Sequence, residues 1–127
     1  MLFTNENNLM NVFSRYGFEY PRSGIRIQEG WMFIFEELLY TLQHNRYEVR
    51  FDQVKQKFGE LRIYYGCPTL IQSLVRKQIE QAIQRCFITC ENCGMPGIKR
   101  NLRGWMCVMC NECFNIKYKR KNYETDY

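Results

Sequence analysis

Four cysteines in two CxxC pairs are the residues whose type and spacing most clearly indicate chemistry in this sequence. The first pair is Cys90 and Cys93, the second is Cys110 and Cys113, and sixteen residues separate the pairs. This spacing is typical of a zinc site. A two-residue gap lets both thiolates of a tight turn reach one ion at about 2.3 Å, and four thiolates complete a tetrahedron. The pattern predicts a structural Zn2+ ion with no open coordination position.

A fifth cysteine makes the choice of ligands ambiguous, because Cys107 and Cys110 also form a CxxC pair. If Cys107 and Cys110 were the second pair of ligands, Cys113 would not bind the ion. Spacing alone does not decide between these two sets of four ligands. Residues 105–109 have the apolar character of a strand that leads into the second knuckle, which favours Cys110 with Cys113. A redox-active CxxC motif is a further alternative, but such motifs accompany a βαβ pattern that the sequence does not predict.

The composition indicates one soluble domain. The chain has 127 residues, of which 46% are hydrophobic and 16% aromatic, so it can bury a core of its own. No run approaches the roughly 20 apolar residues of a membrane helix, and the first residues lack the pattern of a signal peptide. We expect a cytoplasmic protein, located in the host cytoplasm if it is phage-encoded. In that compartment clustered cysteines are metal ligands more often than disulfides.

The positive charge is unevenly distributed along the chain. The net charge is +5, yet residues 1–66 hold eight Lys/Arg and eight Asp/Glu, so residues 67–127 supply the whole excess. Four thiolates and one zinc ion would lower the charge of the loaded protein to about +3. This bias is compatible with a nucleic acid or nucleotide partner, and it is equally compatible with simple solubility.

Hydrophobic periodicity predicts the helices that position these cysteines. Thr4 to Tyr16 is expected to form a short helix capped by Thr4 or Asn5 and ended by Gly17, and residues 20–24 form a loop. Glu29 to Asn45 is the clearest helix. Its apolar residues fall on one continuous stripe: Trp31, Ile34, Phe35, Leu38, Leu39 and Leu42.

The period changes between Tyr47 and Tyr65, where apolar and polar residues alternate as they do in a half-buried strand. The pattern predicts a β-hairpin with Gly59 in its turn. Pro68 then opens a long helix to about Phe87. We expect its buried stripe to comprise Ile71, Leu74, Val75, Ile79, Ala82, Ile83 and Cys86.

Together these elements predict an α+β fold with two to three helices, a β-hairpin and a C-terminal four-cysteine zinc ribbon. The expected organisation is an α+β core over 1–88, a zinc ribbon over 89–114 packed on that core, and a basic then acidic tail over 115–127.

Two sequence motifs resemble those of a family of small bacterial and phage proteins. Residues 53–64 read QVKQKFGELRIY and residues 90–97 read CENCGMPG, followed by GW at 104–105 and CNEC at 110–113. The family carries a VKxKFGxLRxY hairpin and then a CExCGxPG…GW…CxxC ribbon, and the resemblance covers about residues 29–113. It implies that Cys107 is not a ligand. The family has no established activity, and its occurrence in phages suggests a counter-defence role.

Enzymatic candidates are few, and no catalytic residue is assigned. The only histidine, His44, falls at the polar end of a predicted helix, and no nucleophile is evident beside it. A metal-dependent nuclease would need clustered carboxylates. Asp52 and Glu60 lie on adjacent predicted strands and could form such a cluster, although cross-strand ion pairs explain them as well.

Basic residues interleaved with aromatic ones favour a phosphate-bearing partner, either nucleic acid or a nucleotide. The candidate ligand-binding residues lie on the hairpin and in the ribbon: Lys55, Lys57, Arg62, Tyr64, Lys99, Arg100 and Arg103. The tail residues 117–121 add further basic charge. The alternative is a regulatory or counter-defence protein that acts through protein–protein contacts. The excess of aromatic residues favours such an interface and makes a homodimer plausible.

Overall fold

The fold was obtained as a computed structural model in which residues 6–117 are described. The elements follow the order predicted above, with one additional short strand and a C-terminal helical segment. In chain order they are α1 (Glu6–Arg15), β1 (Ile25–Arg26), α2 (Glu29–His44), β2 (Arg50–Lys57), β3 (Glu60–Gly66), a 3-10 turn (Thr69–Ile71), α3 (Gln72–Phe87), β4 (Ile98–Leu102), β5 (Trp105–Met109) and α4 (111–117).

The strands form two small sheets. The first has the order β1-β2-β3, with β1 parallel and β3 antiparallel to β2, and the second pairs β4 with β5 in antiparallel register. Each antiparallel pair is closed by a two-residue turn, Phe58-Gly59 in the first sheet and Arg103-Gly104 in the second. All four residues have positive φ, between 55° and 87°, which is the backbone of a type I′ hairpin turn.

The main core lies between the helices and the inner face of the first sheet. The predicted stripe of α2 is buried along its whole length. The rings of Phe13, Phe35 and Phe51 meet at centroid distances of 5.5 to 5.9 Å, which joins α1, α2 and β2. Edge-to-face aromatic contacts of this kind contribute to stability beyond the area they bury.

The predicted α+β class, with its hairpin and its C-terminal group of four cysteines, is confirmed. The first hairpin strand begins later than predicted, at Arg50 instead of Tyr47, because α2 ends in a turn with Arg46 at φ 57°, whereas the second strand ends at Gly66, one residue beyond the predicted Tyr65. Leu74 was expected in the buried stripe of α3 but is 47% exposed, since that helix turns only Val75, Ile79, Ala82 and Cys86 fully inward.

The predicted capping residues Thr4 and Asn5 and the tail beyond Lys117 lie outside the described residues. Gly17 has φ 81° directly after α1, as expected of a residue that ends a helix. None of the helices within residues 6–117 combines the length and the apolar character needed to cross a bilayer.

Candidate metal centre and basic face

The structure brings the four predicted cysteines together. The Sγ atoms of Cys90, Cys93, Cys110 and Cys113 all lie within 4.8 Å of one another, and the Cys93 and Cys110 sulfurs are 3.8 Å apart. A tetrahedral site with bonds of about 2.3 Å requires sulfurs about 3.8 Å apart. In the described part of the chain this is the only such group of three or more Cys, His, Asp or Glu residues. The group could therefore hold one metal ion.

Backbone hydrogen bonds shape both knuckles. In the first, between α3 and β4, the Gly94 N–H donates to the Cys90 carbonyl at 2.9 Å, and Gly94 has φ 85°. In the second, β5 leads into α4, and the Cys113 N–H donates to the Cys110 Sγ at 3.4 Å. N–H donors of this kind orient the sulfur atoms and stabilise their negative charge.

The electrostatic surroundings distinguish two of the thiols. Burial raises the pKa of Cys90, but backbone N–H donors from Cys110, Cys93 and Asn92 outweigh it and bring that pKa to about 7. The Asn92 side-chain amide, 3.2 Å from the Cys113 sulfur, lowers the pKa of Cys113, but burial and the neighbouring thiols raise it to about 12. The donors around Cys90 favour the thiolate, which is the form that binds a metal ion.

The remaining three cysteines are not members of the four-sulfur group, although Cys107 packs against Cys90. Cys107 is buried on β5 beneath the group, and burial raises its pKa. Cys86 lies in the main core, where burial raises its pKa to about 12. Cys67 is partly exposed after β3. The geometry thus selects Cys113 over Cys107 as the fourth member of the group.

A buried carboxylate connects the first knuckle to the hairpin. Glu91 follows the first cysteine of the group and is only 2% exposed. Its carboxylate accepts hydrogen bonds from the Val108 N–H at 2.9 Å and from the Gln56 side-chain amide at 3.1 and 3.2 Å. The same Gln56 nitrogen donates to the Met106 carbonyl at 3.0 Å. The ribbon is therefore tied to β2 through a satisfied buried polar group.

Helix α2 also contacts the first knuckle. The Gly30 N–H donates to the Glu91 carbonyl at 2.9 Å, and the Trp31 indole N–H donates to the Thr89 carbonyl at 2.8 Å. A Cβ atom at residue 30 would clash with the Cys90 carbonyl oxygen and lie 2.6 Å from the Glu91 carbonyl carbon. Only glycine allows this approach of helix to knuckle.

The outer face of the first sheet carries a row of cations. Arg26 on β1 is paired in register with Lys55 on β2, which is paired in turn with Arg62 on β3. Residues at paired positions project to the same side of a sheet, so the three side chains are neighbours. Tyr64 lies on the same face, with the Lys55 Nζ 5.7 Å from its ring centroid. Lys57 lies beside the turn.

This row is only partly neutralised. Glu60 accepts an ion pair from Arg62 at 2.9 Å and another from the ribbon residue Lys99 at 3.9 Å. Within residues 6–117, neither Arg26 nor Lys55 has an ion pair. The buried Nε of Arg62 also has no hydrogen-bond partner among these residues. We call this surface the basic face. It comprises six residues: Arg26, Lys55, Lys57, Arg62, Tyr64 and Lys99.

The two other candidate residues of the ribbon differ from Lys99. The Arg100 guanidinium donates to the Met109 carbonyl at 2.9 Å and to the Asn111 side-chain oxygen at 2.5 Å, and it lies 4.6 Å from the Phe114 ring centroid. Its contacts therefore join β4 to α4 within the ribbon. Arg103 is exposed in the β4–β5 turn.

The carboxylates considered for a nuclease do not converge. Asp52 lies at the bulge of β2, where it forms an ion pair with Arg50 at 3.0 Å, and Glu60 lies at the opposite, turn end of the hairpin. His44 stacks on Tyr40 at 5.8 Å on the surface of α2. Asp52 and Glu60 therefore do not form the paired carboxylates that would hold a catalytic magnesium ion.

Sequence reasoning missed three residues at the junction of hairpin and ribbon. Arg26 lies in a strand of two residues, which is too short to show a period. Gln56 and Glu91 are polar residues that meet across 35 positions of sequence, and the contact leaves Glu91 buried and Gln56 partly buried. The one available signal was the alternation along β2, which places Gln56 on the inward side with Val54.

Comparisons with protein-family models, with curated proteins and with solved structures found no match for this chain.

Proposed function

We propose that this chain is a zinc-stabilised, non-enzymatic binding module that contacts a phosphate-bearing partner through its basic face. The partner class is nucleic acid or a nucleotide. The observation that carries the proposal is the row of Arg26, Lys55 and Arg62 across three adjacent strands, two members of which have no ion pair within residues 6–117.

The ligand set supports zinc as the metal ion. Four thiolates at tetrahedral spacing favour zinc, and a site with four protein ligands has no position left for substrate. The ion would then act on stability, because it fixes the two knuckles relative to each other. The protein would then bind its partner through its surface and not through the metal ion.

The cationic row supports an anionic partner for an energetic reason. Like charges at directly opposed positions of a sheet destabilise it. One carboxylate, that of Glu60, lies at the end of the row and is shared between Arg62 and Lys99. A phosphate group placed over Arg26 and Lys55 would relieve the repulsion and gain charge-assisted hydrogen bonds. The exposed ring of Tyr64 beside them suits a base next to the phosphate.

Charge reversal tests this surface. We expect the double variant Lys55→Glu with Arg62→Glu to bind a labelled single-stranded oligonucleotide of about 12 nucleotides at least about tenfold more weakly, measured by fluorescence anisotropy. The matched control reverses two exposed cations on α3, Arg76→Glu with Lys77→Glu, which changes the net charge equally.

Binding by the unmodified chain should also weaken steeply between about 50 and about 200 mM salt. If the two double variants bound with equal affinity and their far-UV circular dichroism were unchanged, the basic face would not be the oligonucleotide-binding site.

A second candidate function is protein–protein interaction. Ile88, Met95 and Ile98 are exposed around the first knuckle, and they are close in space because Thr89 and Pro96 form a β-bridge. Clustered exposed apolar side chains mark interfaces. This surface suits a second copy of the chain or a host component, as the counter-defence interpretation requires. Association through it should be insensitive to salt, and Met95→Glu should abolish it in analytical ultracentrifugation or a pull-down.

A further inference from the structure

A cavity of about 380 Å³ lies where the basic face meets the ribbon. Strand β1 ends after two residues, so the edge of β2 beyond Lys55 has no neighbouring strand. The ribbon approaches this gap, and the Gln56 amide reaches the Met106 carbonyl there at 3.0 Å. The space left between them is lined chiefly by Arg26, Lys55, Gln56, Glu91 and Trp105. Its volume is within the range of small-ligand pockets.

We infer that this cavity is a nucleotide-binding pocket in which Trp105 stacks on the base and Arg26 and Lys55 hold the phosphate. The inference rests on the proposed function and narrows it from a charged surface to one site. The nucleotide is either free or one unit of a single strand, because both present the same base and phosphate.

The aromatic wall is Trp105, the first residue of β5. It is 55% exposed, whereas the second tryptophan of the chain, Trp31, is buried in the main core. Pairing with Leu102 across the β4–β5 turn fixes its position. The ring is a large apolar surface left exposed at the cavity, and stacking on a base would cover it.

The cationic wall is formed by Arg26 and Lys55, which are paired across β1 and β2. These are the two members of the row that have no ion pair among residues 6–117, so their charges are available to an anion. An arginine beside a lysine offers several N–H donors to one phosphate.

The floor of the cavity presents hydrogen-bond acceptors. The Gln56 nitrogen is already used by Glu91 and Met106, and among the described residues nothing donates to the Gln56 amide oxygen. The Glu91 Oε1 atom accepts one hydrogen bond, from Gln56. Acceptors match the exocyclic amino groups of adenine, cytosine and guanine, each of which has two N–H donors, whereas thymine and uracil offer only the single N3–H. We therefore expect bases that carry an amino group to bind more tightly.

The experiment measures binding of AMP, of oligo(dA), of oligo(dT) and of an abasic oligonucleotide of the same length to the zinc-loaded chain. Trp105→Ala should weaken binding of oligo(dA) roughly 5- to 150-fold, whereas Trp105→Phe, which keeps an aromatic face, should stay within about threefold. The matched control is Tyr40→Ala, which removes an exposed ring from α2. Oligo(dA) should bind more tightly than oligo(dT), and both more tightly than the abasic strand.

The outcomes separate the two proposals. If the abasic strand binds as tightly as oligo(dA) and Trp105→Ala has no effect, while reversal of Lys55 and Arg62 still abolishes binding, the pocket is wrong and the basic face stands. If no nucleotide or strand binds at all, both are wrong. Saturable quenching of tryptophan fluorescence by AMP supports the pocket with a free nucleotide as ligand. Quenching by oligo(dA) alone supports it with a single strand.

Discussion

The main core and the ribbon are stabilised in different ways. Within residues 6–117, the main core gathers nineteen buried apolar side chains into one cluster, whereas the ribbon's own cluster has three, Cys90, Cys107 and Met109. Burying an apolar side chain contributes about 1.5–3 kcal/mol, and ordering each residue costs about 1–2 kcal/mol. Apolar burial within the ribbon is therefore too small to offset the conformational entropy that is lost when the ribbon becomes ordered. The remaining stabilisation must come from its contacts with β2 and α2 and from the metal ion that its four cysteines could hold.

The largest effect should come from removing the metal. Structural zinc contributes about 10–16 kcal/mol of apparent free energy, so a chelator should unfold residues 89–114. The main core should persist because all of its nineteen buried side chains except that of Val108 lie outside residues 89–114. Alkylation followed by mass spectrometry distinguishes the regions. Before chelation Cys67 should react alone, and after chelation Cys107 and the four cysteines of the metal centre should also react, while Cys86 stays protected.

A Cys67→Ser variant is the control for this experiment, since it removes the background label by a nearly isosteric change at a residue that is only partly buried against the main core. Simultaneous reaction of Cys86 would show that core and ribbon unfold as one unit. A chelated protein with unchanged labelling and unchanged melting temperature would contradict the structural role of the metal.

The second effect tests the main core alone. Phe51 on β2 packs against the rings of Phe13, Phe18 and Phe35 at 5.5 to 5.9 Å. Phe51→Ala leaves a cavity at this centre and should lower the free energy of unfolding by about 3–5 kcal/mol in urea titrations. Phe58→Ala is the matched control, because that ring is exposed in the hairpin turn. Equal losses in the two variants would show that the aromatic cluster does not hold the core together.

The same contrast explains what the sequence could predict. The stripe of α2 and the hairpin follow from local periodicity, because each of these elements buries one face. The four cysteines follow from their spacing, since the knuckles are local turns. All these features can be recognised from the spacing of residues along one continuous stretch of chain.

The junction between the regions could not be predicted in this way. Glu91 lies between two cysteines in a polar segment, and nothing local shows that Gln56 and Val108 bury it. Arg100 resembles any phosphate-binding arginine in the sequence, but its contacts with Met109 and Asn111 come from the folded ribbon. Long-range pairing decides the environment of these side chains, and a periodic pattern carries no information about it.

The third-largest expected effect concerns the close backbone contact between α2 and the first knuckle. Gly30→Ala places a Cβ against the Cys90 and Glu91 carbonyl groups, which cannot move without shifting the knuckle. We expect a loss of about 3 kcal/mol, together with weaker retention of zinc in a competition assay with a chromophoric chelator. Ser73→Ala, at an exposed position near the start of α3, is the control for substitution on a helix. Normal zinc retention in Gly30→Ala would mean that the helix and the knuckle are energetically separate.

The smallest effect concerns the buried carboxylate of the junction. In Glu91→Gln one acceptor oxygen becomes an amide donor, which must then face the Val108 N–H or the Gln56 amide, both donors themselves. The expected loss is about 2 kcal/mol, because a buried donor is left without an acceptor. The matched control is Glu37→Gln, which breaks the exposed ion pair with Arg85 at 2.8 Å and should cost less than about 1 kcal/mol. Urea titrations at low and high salt separate the two, since screening acts only on the exposed pair. If Glu91→Gln cost no more than Glu37→Gln, the ribbon would be held by its metal alone, and the contact with β2 would contribute orientation but no stability.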